Sequence, residues 1–201
     1  MRIRIRAELE RIRLRSAALG YAGHGWDVLP GAYLNRRRFC CGTGCRTEAC
    51  HPAGQGGADL SSRAAGVIGR WWSRRPYSVL LATGLAFDVI EVSVCPGAGI
   101  AGVAAGGPVA VTPAGHWMML VRPGTPLRPE LSGRTDVVLH GPGSWVPAPP
   151  TREPAGRVRW VVAPEDVAWK LPDPGQVQAA LVDLLPGLRR SSSRGRLRAA
   201  A

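Results

Sequence analysis

The pattern of hydrophobic and polar positions divides the chain into short segments of different type. Apolar residues recur at helical spacing over residues 2–22, and they predict an amphipathic helix whose apolar face consists of Ile5, Leu9, Ile12 and Leu19. Short apolar runs between glycine and proline turns predict β-strands instead. The predicted strands cover residues 26–30, 79–82, 86–94, 109–111, 117–121, 137–139, 145–146 and 158–162.

Two further helices are predicted from the signals at their ends. The serine pair at residues 61–62 can cap a helix that stops before Pro76. Asp173, with Gln176 three residues later, is a capping-box signal for a helix that runs to about residue 185. Helices and strands therefore mix along the chain, and the expected fold class is α/β, of the mixed α+β type.

The same pattern predicts the domain organisation. One domain is expected over residues 1–188, followed by a basic, disordered tail over residues 189–201. Residues 35–58 lack apolar periodicity and carry four of the five cysteines, so they form a loop insert that needs something to organise it. An apolar content of 45% predicts a globular chain, and no membrane-spanning segment is expected.

Positive charge is concentrated at the two ends of the chain. The formal net charge is +12, and the first 15 residues hold six arginines while the last 13 hold five. Basic ends favour binding to a polyanion such as nucleic acid, although they can also serve solubility alone. The other candidates for nucleic-acid contact are Arg36, Arg37, Arg38, Arg74 and Arg75.

The first residues argue against a targeting peptide. The alternating arginines interrupt the apolar core that a secretory signal needs, and Glu8 and Glu10 are atypical of a mitochondrial presequence. The expected location is therefore the cytoplasm. In that compartment cysteines are more often metal-bound or reduced than paired in disulfides.

Five possible metal ligands lie within 12 residues, namely Cys40, Cys41, Cys45, Cys50 and His51. Three thiolates and one imidazole can surround a tetrahedral zinc ion. The predicted ligands are Cys41, Cys45 and Cys50 with His51, or with Cys40 in place of His51. The alternative is a surface loop with reduced cysteines.

Asp88 and Glu91 lie in an otherwise apolar strand, where an acid is costly to bury unless it pairs or holds a metal. Side chains alternate along a strand, so residues three apart point to opposite faces unless a β-bulge adds a residue. Nothing in the composition calls for a bulge. His116 begins another apolar strand after a glycine turn, and its role can be structural or catalytic.

Four stretches of the chain carry motifs in a recognisable order. They are GWDVLP at 25–30, WWSRRP at 71–76 leading into LATG at 81–84, HGPGSWVPAPPT at 140–151, and PAG at 154–156 followed by Trp160. Together they resemble the N-terminal domain of bifunctional DNA primase–polymerases over about residues 15–165. Cys50-His51-Pro52 also resembles the end of a Cys-rich insert in the actinobacterial members.

The resemblance implies a fold of the archaeo-eukaryotic primase superfamily, built on an RRM-like mixed sheet, with the zinc loop as an insert. It implies extension of nucleic acid, DNA foremost, from nucleoside triphosphates with Mg or Mn. Asp88, Glu91 and Asp136 would then hold the metal, and His116 and Arg122 would contact the triphosphate. Members with full priming activity are usually longer, so a helicase or another replication partner is also expected.

Several positions depart from the family pattern. The acidic motif is Asp-x-x-Glu instead of acid-x-acid, Pro142 stands where many members have Asp, and Glu153 replaces a His. We therefore expect an incomplete metal site, weak or absent polymerisation, and retained binding of nucleotide or nucleic acid. The alternatives are an active nucleotidyltransferase and an unrelated zinc-stabilised protein whose basic ends bind nucleic acid non-specifically.

Overall fold

The computed structural model describes residues 2–36, 38–45, 47, 49–93, 99–103 and 106–185. The candidate residue Arg37 and the predicted basic tail lie outside the described residues. Within these ranges, none of the helices combines the length and the hydropathy that crossing a membrane requires.

The elements follow the predicted order closely. The helices are α1 (Arg2–Gly23), α2 (Ala65–Arg74), α3 (Ile100–Val103), α4 (Pro129–Ser132) and α5 (Pro174–Leu184), with single 3₁₀ turns at Gly57–Leu60 and Glu165–Val167. The first six strands are β1 (Val28–Gly31), β2 (Tyr33–Asn35), β3 (Arg38–Cys40), β4 (Ser78–Ala82), β5 (Asp88–Val92) and β6 (Val109–Val111). The others are β7 (Trp117–Val121), β8 (Val137–His140), β9 (Trp145–Pro147), β10 (Arg152–Glu153), β11 (Gly156–Arg157) and β12 (Arg159–Val162).

The strands form two sheets and two hairpins. The larger sheet has five strands in the order β12-β6-β7-β5-β8, and the smaller has the order β1-β4-β9. Each described strand pair in these sheets is antiparallel. The hairpins are β2–β3 and β10–β11. The prediction of a mixed α+β fold is confirmed, although the loop predicted over residues 35–58 includes part of the β2–β3 hairpin.

Two hydrophobic cores lie on opposite faces of the five-stranded sheet. Val89 belongs to the core that contains Trp72 of α2 and the inner face of α1. Ile90 belongs to the core that contains Val177 of α5. Because successive side chains point to opposite faces, β5 contributes to both cores and is enclosed on both of its faces.

The helix α1 packs with a different face from the one that the sequence predicts. Ile5, Leu9 and Ile12 are 52%, 56% and 53% exposed, whereas Leu14 and Ala18 are buried. The helix carries more than one apolar stripe, and the buried stripe is the one that meets α2 and β4. Leu19 is partly buried against the same core, so only this member of the predicted face is packed.

A close approach of two turns fixes the region beside β5. Gly84, in the turn after β4, has φ of +95°, and a Cβ atom there would lie 2.2 Å from Cα of Pro142. Thr83 holds the same pair of turns, because its hydroxyl donates to the carbonyl of Gly141 at 2.6 Å and its N–H to the carbonyl of Ser144 at 3.0 Å. The LATG and HGPGSWVPAPPT motifs therefore meet at Gly84, a position that only glycine can occupy.

The start of α5 generates a stability prediction. Asp173 accepts a hydrogen bond from the backbone N–H of Gln176 at 3.1 Å, as the capping signal predicted, and it also pairs with Arg122 at 2.5 Å. Asp173→Ala should lower the free energy of unfolding by about 1 kcal/mol, the usual cost of a lost N-cap, as measured by urea denaturation. Asp173→Asn is the control, because it keeps a capping oxygen and removes only an exposed ion pair. Equal losses in the two variants would contradict a capping role.

Candidate functional site

The register of β5 decides which way the two candidate acids point. The strand pairs residue for residue with β7 on one edge and β8 on the other, and neither described ladder contains a bulge. Asp88 consequently shares a face with Ile90, and Glu91 shares the opposite face with Val89. The two acids lie on opposite sides of the sheet.

Asp88 is enclosed at the start of β5 and is 2% exposed. Its Oδ2 accepts a hydrogen bond from the backbone N–H of Gly124 at 2.8 Å. Its Oδ1 is buried and has no hydrogen-bond partner among the described residues. The cleft that the resemblance implied for Asp88, His116 and Asp136 is not formed, because alternation along β5 turns Asp88 away from the histidine.

Glu91 is the acid that meets His116. Its Oε1 lies 2.7 Å from Nδ1 of His116, and its Oε2 lies 2.9 Å from Nε2 of His140. The opposite nitrogen of His140 lies 3.1 Å from the hydroxyl of Ser144, in the turn that Thr83 and Gly84 hold. Strands β5 and β8, together with the residue that precedes β7, thus contribute to one polar cluster. We call Glu91, His116, His140 and Ser144 the Glu–His cluster.

Electrostatics favour the ionised form of Glu91. Burial opposes ionisation, but hydrogen bonds with His140 and His116 outweigh it and lower the pKa of Glu91. Glu153, on β10, is the nearby contrasting acid. Burial raises the pKa of Glu153, the imidazole of His116 opposes that rise, and the charge of Glu91 adds to it.

The geometry leaves one histidine available for a ligand. Glu91 holds His116 by Nδ1, so the other ring nitrogen, Nε2, has no hydrogen-bond partner in the described part of the chain. The side chain of His116 is 41% exposed, against 20% for His140. With Nδ1 donating to Glu91, Nε2 of the neutral ring can accept a proton as a general base, and the protonated ring can donate from Nε2 to a phosphate.

Asp136 does not complete the cluster. Both of its carboxylate oxygens are engaged by Arg134, at 2.8 Å and 2.6 Å, and this pairing lowers the pKa of Asp136. The residue directly across from Glu91 on β8 is Val138. Val89 shares the face of Glu91 on β5, and Ser93, the residue directly after the strand, is the next in alternation; neither is an acid.

These placements do not fit a two-metal site. Such a site needs several carboxylates around two ions about 4 Å apart. Within the described residues, Cys41, Cys45 and His51 form a group of possible metal ligands whose ligand atoms lie within 4.8 Å of one another. No acid belongs to this group. The predicted trio of Asp88, Glu91 and Asp136 is therefore separated by the strand geometry.

Arg122 also lies away from His116. The two residues flank opposite ends of β7, so their Cα atoms are about 20 Å apart at the usual rise of an antiparallel strand. The Arg122 guanidinium pairs with Asp173 at 2.5 Å. The structure consequently does not bring the two predicted triphosphate contacts together.

The Cys-rich loop brings three of its predicted ligands together. Sγ of Cys45 lies 3.4 Å from Sγ of Cys41 and 3.0 Å from Nε2 of His51. Nδ1 of His51 lies 2.8 Å from the carbonyl of Ala49, which orients the ring so that Nε2 faces the thiols. Hydrogen bonds with Thr43 and His51 lower the pKa of Cys41 to about 5, so its thiolate, the form that binds metal, is favoured.

Cys50 is placed differently from the prediction. Its side chain packs against Leu29 and Leu80, and burial raises the pKa of the thiol to about 12. Its Sγ lies 3.9 Å from the carbonyl of Ala32. Cys50 is therefore a core residue, because the β1–β4 sheet offers it an apolar environment that the sequence pattern did not reveal.

Four of the five arginines predicted to contact nucleic acid are described, and they lie in the β2–β3 hairpin and at the end of α2. Arg36 occupies the turn of the hairpin with φ of +57°, and Arg38 begins β3. Arg74 ends α2, and Arg75 donates to the hydroxyl of Tyr33 at 3.5 Å. The Arg75–Tyr33 contact therefore joins the end of α2 to the β2–β3 hairpin, the two elements that carry these four predicted nucleic-acid contacts.

Comparison with known proteins agrees with this architecture. The model of one family, the N-terminal domain of bifunctional DNA primase/polymerases, matches residues 18–174. The chain belongs to this family. A comparison with curated proteins found no significant match. The sheet, the Glu–His cluster and the Cys-rich loop all lie within the matched residues.

Two residues of this primase/polymerase-family domain have positions that the sequence did not predict. In the sequence, His140 stands out only as the first residue of a glycine-rich motif, and Glu153 only as a departure from the family pattern. Strand alternation places His140 and Val138 on one face of β8, so the face on which His140 lies could be predicted from the sequence. The contact of His140 with Glu91 could not be predicted, because it depends on the register between β8 and β5.

The pKa of Glu91 predicts an acid-sensitive contribution to stability. Ionised Glu91 stabilises the fold above its ordinary pKa of 4.5, and this contribution is lost as the pH falls through the lower folded value. Removing a charged hydrogen-bond partner costs about 2 kcal/mol. Glu91→Gln should therefore lower Tm by about 4–8 °C at pH 7. The difference should shrink below pH 4, as measured by thermal unfolding at several pH values.

Glu153→Gln is the matched control, and the expected effect has the opposite sign. A raised pKa means that the folded state disfavours the charged form, so wild-type stability is lost as the pH rises through that pKa. Glu153→Gln should raise Tm at pH 7 and have little effect below pH 4. A decrease for Glu91→Gln that is independent of pH would show that packing, and not ionisation, is responsible.

Proposed function

We propose that this domain binds DNA and nucleotide and has lost most or all metal-dependent nucleotidyl transfer. The observation that carries the proposal is the placement of Asp88 and Glu91 on opposite faces of β5. One acid is enclosed behind the sheet, and the other is hydrogen-bonded to two histidines. Membership of the family supports binding of nucleic acid and nucleoside triphosphate.

In this proposal the Glu–His cluster binds phosphate. The side chain of His116 is partly exposed, its Nε2 has no hydrogen-bond partner within the described residues, and Glu91 fixes the orientation of its ring. His140 anchors the other carboxylate oxygen and is itself fixed by Ser144. Such an arrangement can hold a triphosphate without gathering the metal ions that would activate a 3′-hydroxyl.

Primer extension tests the loss of catalysis. With a primed DNA template, deoxynucleoside triphosphates and Mg²⁺ or Mn²⁺, the wild-type chain should extend no more primer than the Glu91→Gln and Asp88→Asn variants. Binding of the same primed template, measured by fluorescence anisotropy, should persist in all three proteins. Extension by the wild type that either substitution abolishes would overturn the proposal and identify the acid that holds the metal.

We also propose that Cys41, Cys45 and His51 hold a structural zinc ion. Thiolate and imidazole ligands around one point are typical of structural zinc sites, which are normally four-coordinate. Cys40, one residue away, is our candidate for the fourth ligand. The metal would give order to a loop that has almost no apolar side chains of its own.

Metal analysis of the purified protein tests this site. The wild type should contain about one zinc per chain, and Cys45→Ser and His51→Ala should lose most of it. Cys50→Ala is the matched control, because it removes a cysteine of the same loop whose thiol faces the core. Loss of zinc from the folded Cys50→Ala variant would restore Cys50 as a ligand, and a metal-free wild type would overturn the proposal.

A further inference from the structure

A groove runs between α1 and the β2–β3 hairpin. It has a volume of about 520 Å³, and its lining includes Arg6, Arg13, Tyr33, Arg152 and Arg157. The hairpin strand β2 and the short strand β10 both border it. A second cavity of about 410 Å³ continues along α1, and Arg13 lines both. We call the two together the α1 groove.

The charges of the α1 groove are only partly neutralised. Arg157 makes a two-pronged pair with Glu10, with both N–O distances at 2.7 Å, and this pair ties α1 to β11. Arg6, Arg13 and Arg152 have no carboxylate partner within the described residues. Arg6 and Arg13 are two helical turns apart, about 10 Å along the axis, so they present charge at two points of one wall.

The far end of the groove is aromatic. Trp169 lines the second cavity beside Tyr21 and Pro150, and Glu165 adds one carboxylate to this end, against the three unpaired arginines of the groove. Its backbone has φ of +59°, and its ring stacks on His24 with the ring centroids 3.5 Å apart. Tyr21 and Trp26 support the same ring from other sides. The part of this ring that lines the cavity is therefore a fixed aromatic surface that a planar base can contact.

Charge and shape together favour one occupant. Unpaired arginines spaced along a wall match the phosphates of an extended strand, and the aromatic end matches an unpaired base. Each cavity has the size of sites that hold a small ligand such as a single nucleotide. In a duplex the bases are stacked inside the helix and cannot reach such a surface.

We propose that the α1 groove binds single-stranded DNA, with Arg6, Arg13 and Arg152 on phosphates and Trp169 against a base. This inference rests on the proposed DNA binding and assigns it to a surface. The groove is connected to the Glu–His cluster through β10. Arg152 lines the groove, and the next residue, Glu153, lies near His116 and Glu91.

Fluorescence anisotropy with a labelled 15-nucleotide oligo-dT tests the groove. The double variant Arg13→Ala/Arg152→Ala should bind at least tenfold more weakly than wild type at 50 mM salt. Its log–log salt slope should be shallower by about 1.4, because two phosphate contacts are lost and each contributes about 0.7 for a single strand.

The matched control is Arg128→Ala/Arg159→Ala, which removes the same charge from the other side of the sheet. Arg128 precedes α4, and Arg159 pairs with Val111 on the face directed towards α5. This double variant should weaken binding less than threefold. Equal weakening in the two double variants would overturn the groove assignment and leave DNA binding intact, because any surface arginine would then serve.

Other probes separate the remaining outcomes. An oligomer of abasic deoxyribose phosphates should bind several-fold more weakly than oligo-dT, and a hairpin duplex should compete poorly. Equal affinity for the duplex would overturn the single-strand assignment, and tighter binding of oligo-U would favour RNA over DNA. If the wild type binds none of these probes, the proposed DNA binding fails together with the groove.

Discussion

Strand β5 is hydrogen-bonded on both edges and packed on both faces, and this enclosure determines the chemistry of the domain. A strand in that position cannot rotate a side chain from one face to the other without shifting its register against β7 and β8. Such a shift would remove Val89 and Ile90 from the two separate cores to which they belong. The apolar residues of β5 therefore fix where its acids point, and they place Glu91 beside the histidines and Asp88 behind the sheet.

The polar cluster depends on that constraint in turn. Glu91 can accept from His116 and His140 because β7 and β8 flank it, and Ser144 can reach His140 because a turn without a Cβ at Gly84 lets two loops approach. A carboxylate that already has two imidazole partners is a poor starting point for a multi-carboxylate metal site. This is why the proposed function gives His116 the role of holding a phosphate and gives Glu91 the role of orienting the His116 ring.

Much of the fold could be predicted from the sequence, because local signals specify local structure. The cap at Asp173, the end of α2 before Pro76 and the β6–β7 hairpin follow from turn chemistry and spacing. The serine pair at residues 61–62 does not cap α2, whose N-cap is Ala64. Strand alternation alone also predicted that Asp88 and Glu91 face apart. The failures were of another kind: the exposed stripe of α1 and the buried thiol of Cys50 depend on which neighbour an element meets, and spacing does not encode that.

The sequence by itself determined the class of fold, the family and the supply of candidate groups, since composition, turn residues and ordered motifs are properties of the chain alone. Only the tertiary structure decided which groups meet. It places Glu91 against His140, 49 residues away along the chain, and pairs Asp136 with Arg134. It also packs Cys50 against Leu29 and Leu80, and it lines one groove with Arg6, Arg13 and Arg152. The reason is that sheet register and the packing of elements set which distant residues meet. The native register and packing are those that give the whole fold, and not any one segment, its lowest free energy.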